Sequence, residues 1–110
     1  MSQRVAKVES VIQSVVAPVL MELLERDAAA ITVTRVDVAP DMHNATVWIG
    51  MLGNEAEQER LWKRLNWARI EVQNRLSQAL AMKYVPNLHF KRDTGGAYAE
   101  HIDRLLKGLS

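Results

Sequence analysis

Cysteine is absent from all 110 residues. Its absence excludes disulfide staples, a thiol nucleophile and metal sites held by thiolates. Long apolar runs are missing as well, and none approaches the ~20 residues that a membrane-crossing helix needs. The start, Met1-Ser2-Gln3-Arg4-Val5, lacks the apolar core and cleavage pattern of a secretory signal. A cytoplasmic protein with no membrane partner is therefore expected. Glycine-rich loops are lacking. Gly95-Gly96 is a lone pair after an extended segment and reads as a turn, not a phosphate cradle. His43, His89 and His101 are scattered, with no two at metal-ligand spacing. Ser10, Ser14 and Ser77 fall on predicted helices without the sharp strand-to-helix turn of a hydrolase nucleophile. An excess of charge is also wanting, since the net charge is +1. These absences argue against an enzyme, a bound cofactor, a metal and a small-molecule substrate.

What is present is a globular composition, 48% hydrophobic and 25% charged, in a chain of single-domain size spanning residues 1–110. Val5, Val8, Ile12, Val15 and Val19, continued by Leu20, Leu23 and Leu24, keep helical spacing and predict a first helix from Ser2 to Glu25. Pro18 is expected to kink it, because a proline inside a helix removes one backbone bond and crowds the preceding turn. A strand follows over 31–39. Val36 and Val38 face one way and Arg35 and Asp37 the other, while Ile31 and Val33 have the wrong parity for that register. Either a bulge near Thr34 or burial on both faces would explain the mismatch. Pro40-Asp41-Met42-His43 reads as a turn into a second strand, 44–52, with Ala45, Val47, Ile49 and Met51 on one face and Thr46 and Trp48 on the other. Gly53 ends it, and Asn54 with Glu57 predicts a capped helix start.

Leu61, Leu65, Ala68, Val72, Leu76 and Ala79 then step by three and four along a long helix. Straight, ~28 residues would span ~42 Å, long for so small a domain. A break near Ala68–Ile70 would shorten it and turn Trp67 and Ile70 inward. The acidic trio Glu55, Glu57 and Glu59 suits the positive end of that helix. A third strand, 85–92, puts Leu88 and Phe90 inward and Asn87, His89 and Lys91 outward, and a short last helix carries Tyr98, Ile102, Leu105, Leu106 and Leu109. The order is helix–strand–strand–helix–strand. It predicts an α+β domain with a three-stranded sheet, helices on one face and the other face open.

Arg35, Trp48, His89 and Lys91 are predicted to share the open face. An aromatic ring among cations offers a platform for stacking on a base. The bland alternative is a solvated polar face, with Trp48 covered by a loop or the last helix. Arg69, Arg75, Lys83, Lys91 and Arg92, extended by Arg4 and Lys7, could form a phosphate-facing stripe. Residues 83–92 hold Lys83, Lys91 and Arg92 with no acid. A rival reading is a protein-interaction module that docks a partner on the Trp48 face without binding RNA. Another, a hydrolase using His89 or His101 with Asp93, needs a carboxylate–imidazole pair in a pocket.

Two runs are more specific. Thr32-Val33-Thr34 with Val36 and Val38, and Val85-Pro86-Asn87-Leu88-His89-Phe90 with Asp93, are joined in order by Arg4-Val5, Asp41, Ala45-Thr46-Val47, Leu52-Gly53 and Ile102 with Leu105-Leu106. In this order and spacing the chain resembles the ribosome-binding factor A family. The resemblance implies a type II KH fold, with a helix–kink–helix before the third strand. It also implies a monomer that binds the free small (30S) ribosomal subunit. There the family assists late maturation and 16S rRNA processing, with contact near the 5′-terminal helix, and no catalytic residues. The family pattern has Ala-x-Gly at the break between helices where KH domains carry Gly-x-x-Gly. Here the matching residues are Ala68-Arg69-Ile70, without the glycine.

Overall fold

The computed structural model describes residues 3–95. Its elements run α1 (Gln3–Leu24), a 3-10 segment (Glu25–Ala30), β1 (Ile31–Val38), β2 (Asn44–Met51), α2 (Glu55–Ala79) and β3 (Asn87–Arg92). The expected last helix, with Tyr98, Ile102, Leu105, Leu106, Leu109 and nearby His101, lies outside the described residues.

The sheet order is β1-β2-β3. A five-residue connection, 39–43, joins β1 to β2, so they pair antiparallel. Helix α2 carries the chain back along the sheet, so β3 pairs parallel with β2. The bulge expected near Thr34 is present: Val33 pairs with Ile49, but Arg35 pairs with Trp48, leaving Thr34 as the extra residue. That single insertion resolves the parity conflict. Residues directly opposite in a sheet share a face, so Ile31, Val33, Val36 and Val38 all lie on the side of Met51, Ile49, Val47 and Ala45. Leu88 and Phe90 join that side opposite Ala45 and Val47.

Both helices cover this one face. Helix α1 buries Val8, Ile12, Val16, Val19, Leu20 and Leu24. Helix α2 buries Leu61, Leu65, Ala68, Val72 and Leu76. Among the described residues the core contains no polar or charged side chain. Helix α1 runs on through Pro18, which is exposed. The carbonyl deprived of its amide partner there is that of Ser14, also exposed, so water can satisfy it.

The expected helix break is not found. Helix α2 is one element of 25 residues, about 37 Å at the usual rise. It fits because the domain is long and flat, 45 × 29 × 19 Å along its principal axes. Ala68 is buried in the middle of the packed stripe, while Trp67 and Ile70 stay 72% and 66% exposed. The helix–kink–helix of the family pattern is thus a single uninterrupted helix here, and Trp67 is not a core residue.

The termini of α2 and α1 are capped by side chains. Asn54 Oδ1 accepts the Glu57 N–H at 2.9 Å, as the sequence predicts. Gly53 before it has φ of +108°, and a Cβ there would come 3.0 Å from the Glu57 carboxylate. At the end of α1, Arg64 donates to Leu24 O at 3.2 Å and to Leu23 O at 3.3 Å. The same guanidinium meets Asp27, which Arg60 also grips with two bonds of 2.9 and 3.1 Å. Hydrogen bonds from Arg60 and then Arg64 hold the Asp27 carboxyl well below the usual carboxylate range.

Candidate nucleic-acid interface

The pleat puts alternate residues of all three strands on the side of the sheet away from α1 and α2. Strand register then arranges them in rows across the sheet. Arg35 of β1, Trp48 of β2 and Lys91 of β3 form one row; Asp37, Thr46 and His89 form the next. All four residues expected on the open face, Arg35, Trp48, His89 and Lys91, are there.

The rows are chemically organised around Trp48. The Arg35 guanidinium carbon lies 5.1 Å from the indole centroid and the Lys91 ammonium 5.9 Å. Both distances are within cation–π range. Asp37 fixes the arrangement from the next row. Its Oδ2 accepts the indole Nε1–H at 3.0 Å and lies 3.0 Å from Arg35 Nε. The ring is therefore held by its edge and flanked by two cations, and it is half-buried by them. His89 Nε2 sits 2.9 Å from Asn44 Oδ1, the geometry of an imidazole N–H donating to an amide oxygen.

The remaining candidates do not make one stripe. Arg92 follows Lys91 directly and so points to the helix side. Its guanidinium stacks 5.1 Å over Trp62 and bonds to Glu59 at 3.1 Å. Arg75 bridges the helices, 3.0 Å from Glu71 on its own helix and 3.3 Å from Glu22 on α1. Hydrogen bonds to Glu22 and then Glu71 raise its pKa further. These two cations are occupied within the fold. Arg69 lies half-exposed on α2 and makes no ion pair among the described residues, and Lys7 is exposed on α1. Arg4, in the first turn of α1, and Lys83, in the loop after α2, sit apart from the sheet rows. The His89–Asp93 pairing of the hydrolase reading is not assembled either, and His101 lies outside the described residues. His89 is bonded to Asn44, while Asp93 accepts the Thr34 hydroxyl. Among the described residues no group of three or more acidic or histidine side chains could hold a metal, and no helix is long and apolar enough to cross a membrane.

Asp37, Asn44 and Tyr84 are missing from the sequence-level candidates. Asp37 was within reach of parity, since it shares the face of Arg35, but an acid is not what a search for phosphate contacts selects.

An α+β domain with two helices on one side of a three-stranded mixed sheet is the fold of the type II KH-like class. The description "Ribosome-binding factor A" belongs to the family model that matches residues 4–106. The chain belongs to the ribosome-binding factor A family. A ribosome-binding factor A of Geotalea uraniireducens is 32% identical over 111 residues, covering 100% of this chain and 91% of that protein. The solution structure of a Thermotoga maritima protein proposed to be a ribosome binding factor A superposes with a TM-score of 0.73. It is 27% identical, over 87% of this chain and 92% of that one. A homology model of the Thermus thermophilus ribosome binding factor A, fitted into the cryo-EM map of a 30S complex, superposes with a TM-score of 0.61. It is 21% identical, over 79% of this chain and 92% of that one, and shows the shared fold.

Proposed function

We propose that this protein binds the free small ribosomal subunit and assists its late maturation and the processing of 16S rRNA near the 5′-terminal helix. Membership of the ribosome-binding factor A family, across nearly the whole chain, carries this reading. A Thermus thermophilus relative with the same fold has been placed on a 30S particle. The protein works in this reading as a cytoplasmic monomer without a cofactor, a binding factor and not a catalyst.

The open sheet face is the surface we assign to the rRNA. Its cations Arg35 and Lys91 meet phosphates, and folded RNA is gripped largely through backbone and shape. Two cations flanking Trp48 favour a polyanion over an apolar protein partner on this face. The near-neutral net charge keeps affinity for arbitrary RNA low and leaves selectivity to surface fit.

Sedimentation with ribosomal particles tests the proposal. The protein should travel with free small subunits and leave them as salt rises. Absence from small subunits at low and moderate salt would refute it. Cells lacking the protein should accumulate 16S precursor and free subunits, most clearly in the cold.

A further inference from the structure

The loop from α2 to β3, residues 80–86, carries Lys83 and Tyr84. The β1–β2 turn is tied against its far end, because the Asn87 N–H donates to His43 O at 2.9 Å. Between these loops and the last turns of α2 lies a cleft of about 720 Å³ whose lining includes His43, Gln73, Lys83, Tyr84 and Asn87. A smaller hollow of about 440 Å³ continues from it, sharing His43, Lys83 and Tyr84 and adding Arg4 from α1. The cleft falls within the size range of small-ligand sites. It lies four residues along β2 from the Trp48 row, at the Asn44–Asn87 end of the strand pairing.

Three features give this cleft a chemical direction. First, its larger part is lined by a lysine and a histidine and, among the described residues, by no carboxylate. Asp41 borders only the smaller hollow; its Oδ1 accepts the His43 N–H at 3.0 Å and its Oδ2 lies 4.0 Å from the His43 Nδ1, which leaves Lys83 as the principal cation of the cleft. Second, Tyr84 is 67% exposed, with the Lys83 ammonium 5.5 Å over its ring. Lys83 makes no ion pair among the described residues. An uncovered ring beside an unneutralised ammonium is what binds a base by stacking and its phosphate by charge. Third, the polar wall is divided. Gln73 spends both ends of its amide on the backbone, donating to Pro86 O at 3.0 Å and accepting the Leu88 N–H at 2.8 Å. That makes a fixed wall. The Asn87 side chain has no hydrogen-bond partner among the described residues, so its donor and acceptor remain to read a base edge.

We propose that this cleft receives one unstacked nucleotide of single-stranded RNA. The base lies on the Tyr84 ring, its phosphate meets Lys83, and Arg4 and His43 face the next stretch of backbone. A duplex keeps its bases stacked and cannot offer one to the pocket. The cleft therefore selects a splayed single strand, separate from the phosphate contacts of the sheet face. The inference rests on the RNA-binding reading above.

An amide-resolved NMR titration with U6 and A6 single strands, against a blunt-ended two-strand duplex without a loop, tests it. Shifts are expected at the amides of 43, 83–85 and 87 with a single strand and not with the duplex. Tyr84→Ala should weaken binding roughly tenfold, the scale of one lost base–aromatic stack, while Tyr84→Phe keeps it. Lys83→Ala should weaken it less and flatten its salt dependence. Tyr84 is mostly exposed, so both variants should unfold at the wild-type temperature. Shifts confined to Arg35, Trp48 and Lys91, no single-strand binding, or an unchanged Tyr84→Ala would overturn the cleft. Sedimentation with small subunits, run in parallel, separates the two readings. A protein that sediments but leaves the cleft empty of RNA refutes only the cleft. One that fills the cleft but does not sediment refutes the small-subunit reading.

Discussion

The same three strands build two surfaces of opposite kind. On the helix side, Val36, Val38, Ala45, Val47, Ile49, Leu88 and Phe90 are buried against α1 and α2 without one polar side chain among them. On the other side, one residue along each strand, stand Arg35, Asp37, Thr46, Trp48, His89 and Lys91, of which Arg35, Asp37, Trp48 and Lys91 are linked by cation–π contacts and charge-assisted bonds. A period of two allows both surfaces to be written into one segment. The bulge at Thr34 keeps them from mixing. The two sides should consequently respond to substitution in different currencies, stability on one and binding on the other.

The largest effect belongs to the covered side. Leu65, on the inner face of α2, is fully buried. Leu65→Ala should cost about 2–5 kcal/mol, the sum of lost apolar transfer and an unfilled cavity. Its urea midpoint should fall accordingly. Binding to small subunits should persist in whatever fraction remains folded.

On the open side the expected loss is in binding. Trp48→Ala removes the ring that Arg35 and Lys91 flank. If a base stacks there, affinity for the subunit should fall by about 1–3 kcal/mol. Arg35→Ala with Lys91→Ala should change stability by less than about 0.5 kcal/mol per site, since both side chains are exposed. It should also reduce the slope of log affinity against log salt by about 2. An unaltered slope would move the phosphate contacts off the sheet.

A third effect comes from the junction of the helices and is read by pH. Asp27 is held charged by Arg60 and Arg64, so its folded pKa lies below its unfolded value near 4. A group depressed in this way stabilises fully above the unfolded value. The stabilisation is lost as pH falls below about 4 toward the folded pKa. Urea midpoints should thus decline between pH 5 and pH 2, and Asp27→Asn should flatten that decline while lowering the plateau at neutral pH.

Much of this fold is legible in the chain. The parity clash of Ile31 and Val33 with Val36 and Val38 contains the bulge, and Asn54 with Glu57 contains the start of α2. The parallel pairing of β3 is implied by a helix lying between two strands. Three things are not legible locally. The length of α2 looks excessive only if the domain is imagined round, and its 45 Å long axis is a property of the whole packing. Grouping Arg92 with Lys91 by charge ignores the pleat, which sends them to opposite sides. The pairing of Arg75 with Glu22 joins residues 53 apart in sequence and depends on how α1 lies beside α2. Charge alone cannot say which cations the fold itself consumes.

The smallest predicted effect is also the sharpest test of the uninterrupted helix. Trp67 and Ile70 lie on the outer face of α2, opposite its buried stripe. If that is their place, Ile70→Gly, which introduces the glycine of the family pattern, should cost only about 0.5 kcal/mol, the difference in helix propensity. Trp67→Ala should be nearly neutral, or slightly favourable, because alanine is the better helix former. If instead the helix bent at Ala68 and brought these side chains inward, each substitution would empty a core site and cost about 2–5 kcal/mol. The two outcomes differ by more than the error of a urea titration. A small loss at both positions leaves the apolar stripe from Leu61 to Leu76 as what keeps α2 in one piece.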